Sequence, residues 1–156
     1  MDIRSIIAPV VQDREALEEF ADALNERAHE IERDIARLEK TPTDREVTAS
    51  LFRGVHNIKG DAALCKFDLG IAVAHPIESL MSRFREGEIP FSGLLAEMIL
   101  LAVDRLELAT DALLANKSTD NLQLLALVQG LEAIAEIDAD INRPEGYHAL
   151  MGADGQ

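Results

Sequence analysis

The sequence predicts an all-α fold, an antiparallel four-helix bundle with an additional C-terminal flanking helix. Hydrophobic residues make up 47% of the 156-residue chain, aromatic residues only 4%, and alanine and leucine are abundant. Apolar residues recur at intervals of three and four, the spacing of one helix face, and alternating β-branched runs are nearly absent. A chain of this length and apolar content can bury one sizeable core, so a single domain is expected.

The first two long helices are placed by their apolar spacing and their end signals. The first carries an apolar face from Leu17 to Leu38 and stops at Lys40-Thr-Pro42. Thr43-Asp-Arg-Glu46 then has the form of a capping box, which predicts the start of a second helix that ends near Lys66. The short connection predicts that the two helices are antiparallel.

Three further helices follow. Asp68 is the predicted N-cap of the third, which closes at Gly87. The fourth, from about Ser92 to Ala115, carries two adjacent apolar stripes and therefore needs an extra packing partner. A fifth helix, capped by Ser118 or Thr119, is expected to supply that surface.

Domain boundaries follow from the same pattern. We expect residues 1–141 to form the bundle. Pro144 and several glycines interrupt the pattern beyond it, so residues 142–156 are expected to form a flexible tail or a linker.

Charge and composition exclude several classes of function. The net charge of −14 opposes binding to nucleic acid and to anionic membranes. Cys65 is the only cysteine and is interpreted as buried filler, so no disulfide framework is possible. No stretch reaches 18 uncharged apolar residues, and the N-terminus lacks the pattern of a cleaved leader. We expect a cytoplasmic protein and a monomer.

His56 is the strongest functional candidate. It lies in the sequence Leu-Phe-Arg-Gly-Val-His-Asn-Ile-Lys-Gly, and helical rotation places it off the apolar stripe of its own helix. A neutral imidazole has an unprotonated nitrogen that can attack phosphorus, provided that a carboxylate fixes the tautomer. Glu78 on the next helix is a candidate for that carboxylate. Lys59 and Arg53, one turn to either side, form a basic patch, and Gly60 leaves space for a phosphate or a partner.

The chain resembles the histidine-containing phosphotransfer (HPt) domains, most closely the phosphoacceptor domain of CheA-type chemotaxis kinases. His56-x-x-Lys59-Gly60 carries the resemblance, and His75-Pro-Ile-Glu78 matches a second motif of CheA-type domains. The resemblance covers Arg14 to Ala115 and the extra C-terminal helix. It implies that His56 is phosphorylated, that Glu78 hydrogen-bonds its ring, and that Lys59 and His75 complete a polar network.

The resemblance also implies partners. A histidine kinase catalytic domain would phosphorylate His56, and a response-regulator receiver domain would accept the phosphoryl group and bring its own Mg²⁺, so this chain is expected to hold no cofactor and no metal. The expected docking residues are Phe52, Arg53, Gly60 and Ala63. Asp61 departs from the family pattern by adding a negative charge near the phosphate, which puts transfer rates or partner choice in doubt.

The sequence leaves two alternative functions, a metal-binding bundle and a non-catalytic interaction bundle. Glu26-Arg-Ala-His29 has the Glu-x-x-His form of di-iron helices, but its only counterpart, Glu145-Gly-Tyr-His148, lies among the glycines of the tail. A non-catalytic interaction bundle would use the same apolar stripes without chemistry at His56. No ATP-binding motif occurs, so the chain is expected to carry phosphate without loading itself, either free-standing or as a fragment of a histidine kinase.

Overall fold

The computed structural model describes residues 2–141 and the side chains of residues 2–136, and this part of the chain contains helices and no strands. The helices are α1 (Arg4–Ile7), α2 (Arg14–Lys40), α3 (Arg45–Leu64), α4 (Asp68–Arg85), α5 (Gly93–Leu114) and α6 (Leu124–Ile141), with a 3₁₀ turn at Asp120–Leu122. The all-α prediction is confirmed, while the short α1 was not predicted. The predicted tail, residues 142–156, lies outside the described residues.

Helices α2 to α5 form a ring in which each helix packs against two neighbours. Contacts between α3 and α4 show their relative direction: Ala62 approaches Gly70, whereas His56, earlier in α3, meets Glu78, later in α4. The predicted antiparallel bundle is confirmed. None of the helices between residues 2 and 141 combines the length and apolar content needed to span a membrane.

The core fills the space inside this ring. Its largest side chains with less than 2% exposure come from α2, α3, α4, α5 and α6: Leu24, Ile31, Ile35, Leu38, Leu51, Leu69, Val73, Leu80, Met81, Ile99, Leu106 and Val128. Cys65, interpreted as buried filler, is only half-buried at the end of α3. The helix ends there, so the residue sits at the rim of the core.

A glycine sets the spacing between α3 and α4. A Cβ atom on Gly70 would lie 2.7 Å from the Cβ of Ala62, which is closer than real side chains approach. The two backbones therefore come together where both residues are small. This close packing fixes the position of α4 against α3, the helix that carries His56.

Two helix starts differ from the predictions. Asp44, not Thr43, is the N-cap of α3, and its carboxylate accepts hydrogen bonds from the backbone N–H groups of Glu46 and Val47. Asp44 is as good a capping residue as threonine, and it lies one position closer to the first apolar residue. Asp68 is the first residue inside α4, which has no side-chain cap.

Pro76 lies inside α4. The helix begins at Asp68, two turns earlier, so Pro76 occupies an interior position. Helix α4 continues through the proline to Arg85 and places Glu78 one half-turn beyond it. Pro76 is itself buried, and its ring packs in the bundle.

The expected role of the last helix needs correction. The helix begins at Leu124, after a 3₁₀ turn and after Gln123 in a left-handed conformation with φ of 53°, so neither Ser118 nor Thr119 caps it. It packs mainly against α4, where Arg83 donates a hydrogen bond to the carbonyl of Ala135 at 2.6 Å. It therefore leaves exposed Leu94, Leu101 and Leu108, which belong to one of the two apolar stripes of α5.

Candidate functional site

His56 lies in the middle of α3 and faces outward. The residues that flank it on the apolar stripe, Leu51, Val55 and Ile58, have 3% exposure or less, which fixes the rotation of the helix about its axis. The side chain of His56, well off this stripe, is 58% exposed. The residue combines a fixed backbone with an accessible ring, as a nucleophile that meets a protein partner requires.

Glu78 of α4 holds the His56 ring. Its Oε2 lies 2.5 Å from Nδ1 of His56, and its side chain is 16% exposed. An ionised carboxylate can only accept hydrogen bonds, so Nδ1 carries the proton that it donates. In the neutral ring the lone pair is then on Nε2, and this nitrogen is available for nucleophilic attack.

Lys59 completes the contact from the other side. Its Nζ donates a hydrogen bond to Oε1 of Glu78 at 2.6 Å, so one carboxylate binds two side chains of α3. Lys59 was predicted to form a basic patch beside His56, and in this structure its ammonium is bound to Glu78. From this position it holds the carboxylate in place and adds positive charge beside the ring.

The pKa of Glu78 reflects these contacts. Burial raises the pKa, but hydrogen bonds from Lys59 and His56, together with their positive charge, outweigh burial and hold it below its ordinary value of 4.5. Glu78 is therefore ionised at neutral pH. It can offset positive charge that develops on the His56 ring during nucleophilic attack.

Phe52 and Arg85 form a stack beside the site. The Phe52 ring lies nearly parallel to the His56 ring, at 9° between planes and 6.1 Å between centroids. The Arg85 guanidinium sits 4.0 Å from the Phe52 centroid, a cation–π contact. From the sequence Arg85 was interpreted as part of a solvated helix face, but it follows Glu78 by two turns and so shares its face of α4.

His75 is not part of this network. Its side chain is exposed, and it makes no hydrogen bond within the part of the chain that the structure describes. It precedes Glu78 by almost one turn, but only Glu78 is directed at the His56 ring. The contact that the resemblance implied for His75 is absent from this structure.

The predicted docking residues surround His56. Arg53, Gly60 and Ala63 are exposed, and Phe52 is half-buried. A Cβ atom on Gly60 would meet no atom within 4 Å, so the surface beside His56 is open there. We call Phe52, Arg53, His56, Lys59, Gly60 and Ala63 the His56 face.

Asp61, the departure from the family pattern, has a partner that sequence spacing did not reveal. Its Oδ2 accepts a hydrogen bond from Nε of Arg27 on α2 at 3.1 Å. The ion pair offsets the negative charge that Asp61 brings near the His56 face. Arg27 could not be identified from local spacing because it lies on another helix.

The proposed metal ligands are not assembled. Glu26 and His29 are both exposed on α2. Among the described side chains of residues 2–136, no three His, Cys, Asp or Glu residues are arranged to hold a metal ion. Glu145 and His148 lie outside the described residues.

Comparison with known proteins places this site in a family. The model of the Hpt domain family matches residues 15–137, which is most of the chain. The chain belongs to the Hpt domain family. Membership confirms the predicted histidine phosphotransfer role, and the match covers the helices that carry His56, Lys59 and Glu78.

Curated relatives of this Hpt domain are chemotaxis kinases. The chemotaxis protein CheA of Cereibacter sphaeroides is 30% identical over 129 residues, which cover 79% of this chain and 18% of that protein. The sensor histidine kinase CheAY of Helicobacter pylori is 26% identical over 91 residues, which cover 58% of this chain and 11% of that protein. The Hpt domain therefore spans less than a fifth of the length of these two relatives.

Solved structures agree with the fold. The CheA phosphotransferase domain from Thermotoga maritima superimposes with a TM-score of 0.60 at 28% identity, covering 64% of this Hpt domain and 95% of that chain. The phosphorylated P1 domain of CheA3, in a complex with CheY6 from R. sphaeroides, has a TM-score of 0.66 at 22% identity. The latter match covers 80% of this Hpt domain and 98% of that chain, and it supports the fold alone.

Proposed function

We propose that Nε2 of His56 is the phosphoacceptor of a two-component phosphorelay. The observation that carries this proposal is the hydrogen bond between Nδ1 of His56 and Glu78, on a ring that is 58% exposed. One ring nitrogen is occupied, and the other is left as the nucleophile of an accessible side chain. No other histidine among the described residues has a hydrogen-bonded carboxylate.

The chemistry consists of two transfers. In the first, the lone pair of Nε2 attacks the γ-phosphorus of ATP held by a kinase catalytic domain, and the bond from phosphorus to the ADP oxygen breaks. The ring becomes positively charged as the N–P bond forms, and the Glu78 carboxylate stabilises that charge. In the second, an aspartate oxygen of a receiver domain attacks phosphorus, the N–P bond breaks, and neutral imidazole is released.

The electrostatics of the His56 face support acidic partners. Arg53 and Lys59 lie on it and Arg85 borders it, in a protein whose net charge is −14. The nearest carboxylates, Glu78 and Asp61, are each paired with a cation. A receiver domain that presents acidic metal ligands would be attracted to this face and repelled by the rest of the surface.

The partner classes come from the relatives. One structural neighbour is a P1 domain bound to CheY6, and a curated relative is a sensor histidine kinase. By analogy, this Hpt domain receives phosphate from a CheA-like catalytic domain, in the same or another polypeptide, and passes it to a receiver. ATP as the phosphate source places this exchange in the cytoplasm.

A phosphotransfer assay tests the proposal. A CheA-type catalytic domain and γ-labelled ATP should label the full chain with acid-labile, alkali-stable phosphate, and a receiver domain should then remove the label. His56→Gln should not label, whereas His29→Gln, which replaces an exposed histidine on α2, should label normally. Persistent labelling of His56→Gln would show that the phosphoacceptor is elsewhere, and no labelling of the parent by any kinase would favour a non-catalytic bundle.

Docking is tested by adding bulk next to His56. Gly60→Trp should fold normally, because nothing lies within 4 Å of a Cβ at this position, and it should block transfer to the receiver. Gly130→Trp is the matched control, since Gly130 on α6 is equally open and distant from the site. Transfer by Gly60→Trp at the parental rate would place the docking surface elsewhere.

A further inference from the structure

Helix α5 exposes a row of leucines that no described element covers. Leu94, Leu101 and Leu108 are 60%, 43% and 43% exposed, and they recur at seven-residue intervals. Leu100 is 37% exposed but lies about 100° around the helix from Leu101, outside this row. Single exposed leucines are common on protein surfaces, but these three lie within about 40° of one another around the helix and so form one apolar row.

A row of acidic residues runs beside the leucines. Glu97, Asp104 and Asp111 each follow a leucine of the row by three residues, and all three are exposed. The only cation of α5, Arg105, donates a hydrogen bond to the carbonyl of Leu122 at 2.6 Å and is thereby held against the 3₁₀ turn. We call Leu94, Glu97, Leu101, Asp104, Leu108 and Asp111 the leucine–acid face.

The negative potential here affects a neighbouring group. The pKa of Glu107 is raised, first by burial and then by the charges of Asp104, Asp111 and Glu32. Among residues 2–136, no ion pair joins Glu97, Asp104 or Asp111 to a cation. A ligand that brings positive charge would relieve this repulsion.

We propose that the leucine–acid face docks an amphipathic helix of a partner protein, with a row of leucines flanked by a row of lysine or arginine. A seven-residue repeat keeps both rows nearly parallel to the axis of α5, which is the geometry that a second helix can follow. From Leu94 to Leu108 the row is about 21 Å long, which matches a partner helix of about four turns. The acidic row specifies the basic flank.

Other occupants fit less well. A second copy of the chain would bring two acidic rows and two molecules of charge −14 together. Helix α6 packs mainly against α4 and α1 instead.

The proposed surface is separate from the phosphotransfer site. Helix α5 packs against α2 and α4, and α3 occupies the opposite corner of the ring. A helix bound to α5 would leave the His56 face accessible. The inference therefore stands apart from the proposed function, and each can fail without the other.

The test uses a synthetic helical peptide of three heptads, each with one leucine flanked by lysine. Titrated into the ¹⁵N-labelled full chain, it should shift amide resonances of the leucine–acid face and leave those around His56 unchanged. Leu101→Glu and Asp104→Lys should each weaken binding by about tenfold or more, because the first removes apolar burial and the second reverses the charge. Leu64→Glu is the matched control, since Leu64 is 85% exposed on α3, outside the face.

Several results would overturn the proposal. Equal binding of a scrambled peptide of the same composition would show that the peptide is attracted by net charge alone. Unchanged binding to both α5 variants, with native circular dichroism spectra, would show that the peptide binds elsewhere. Self-association that Leu101→Glu abolishes would make a second copy the occupant. Binding that occurs only after removal of residues 142–156 would show that the chain covers this face itself.

Discussion

Replacing Glu78 by alanine should slow phosphorylation of His56 by roughly tenfold or more. The variant removes the acceptor that lies 2.5 Å from Nδ1 of His56, and the ring is then free to adopt either tautomer and to rotate. It also removes the negative charge that stabilises the ring as the N–P bond forms. Lys59 loses its partner at the same time, which adds an uncompensated cation beside the ring.

The magnitude follows from the geometry of this contact. A hydrogen bond to a charged group contributes about 1.5–3 kcal/mol, and about 1.4 kcal/mol in the barrier corresponds to a tenfold change in rate. The lower end of this energy range applies to the contact with Glu78, because the His56 side chain is 58% exposed and water can replace part of the interaction. Glu78→Gln keeps an acceptor without the charge, so its rate should lie between those of the parent and the alanine variant.

The assay is the initial rate of label incorporation from γ-labelled ATP with a saturating CheA-type catalytic domain. Glu86→Ala is the matched control: this exposed carboxylate at the end of α4 does not contact the His56 ring. Circular dichroism establishes that each variant is folded. A parental rate in Glu78→Ala would refute the role assigned to the carboxylate, even if His56 is the residue that is labelled.

Three further predictions concern the same pair of helices. Lys59→Met should slow phosphorylation by roughly three- to tenfold in the same assay, because Glu78 loses a charged hydrogen-bond donor. A faster rate would contradict this, because it would show that the contact with Lys59 makes Glu78 a weaker partner of His56. Gly70→Val should lower the free energy of unfolding by about 1–3 kcal/mol in urea titrations, because its Cβ would approach Ala62, whereas Gly130→Ala should not destabilise the protein. Burial raises the pKa of Glu78, but the hydrogen bonds from Lys59 and His56 outweigh burial and hold the pKa below 4.5. The charge of Glu78 therefore stabilises the fold fully above pH 4.5, and this stabilisation is lost as the pH falls through the lowered pKa. Urea midpoints should therefore fall more steeply below pH 4.5 in the parent than in Glu78→Gln, and parallel profiles would contradict this.

The sequence predicted the bundle well because its signals are local and repetitive. Apolar spacing in α2 and α3 depends only on neighbouring turns, and the buried residues lie where the three-and-four periodicity places them. Helix starts were predicted less accurately. Thr43 and Asp44 are adjacent residues that can both cap a helix, and spacing alone does not choose between them.

Contacts between helices were harder to predict. The contact between His56 and Glu78 is the one that the resemblance implied, and helical spacing alone would not have shown it. Three features depend on packing angles between helices, which the sequence of a single helix does not encode. They are the pairing of Arg27 with Asp61, the stack of Arg85 on Phe52, and the path of α6. For the same reason the sequence could not show that Leu94, Leu101 and Leu108 of α5 stay exposed.

The position of phosphorus on the His56 ring tests the central claim most directly. Two-dimensional NMR of the ¹⁵N-labelled phosphorylated chain can show which ring nitrogen is bonded to phosphorus. We predict that phosphorus is bonded to Nε2 of His56 while Nδ1 keeps its hydrogen bond to Glu78. Phosphorus on Nδ1, or on a histidine other than His56, would contradict the account.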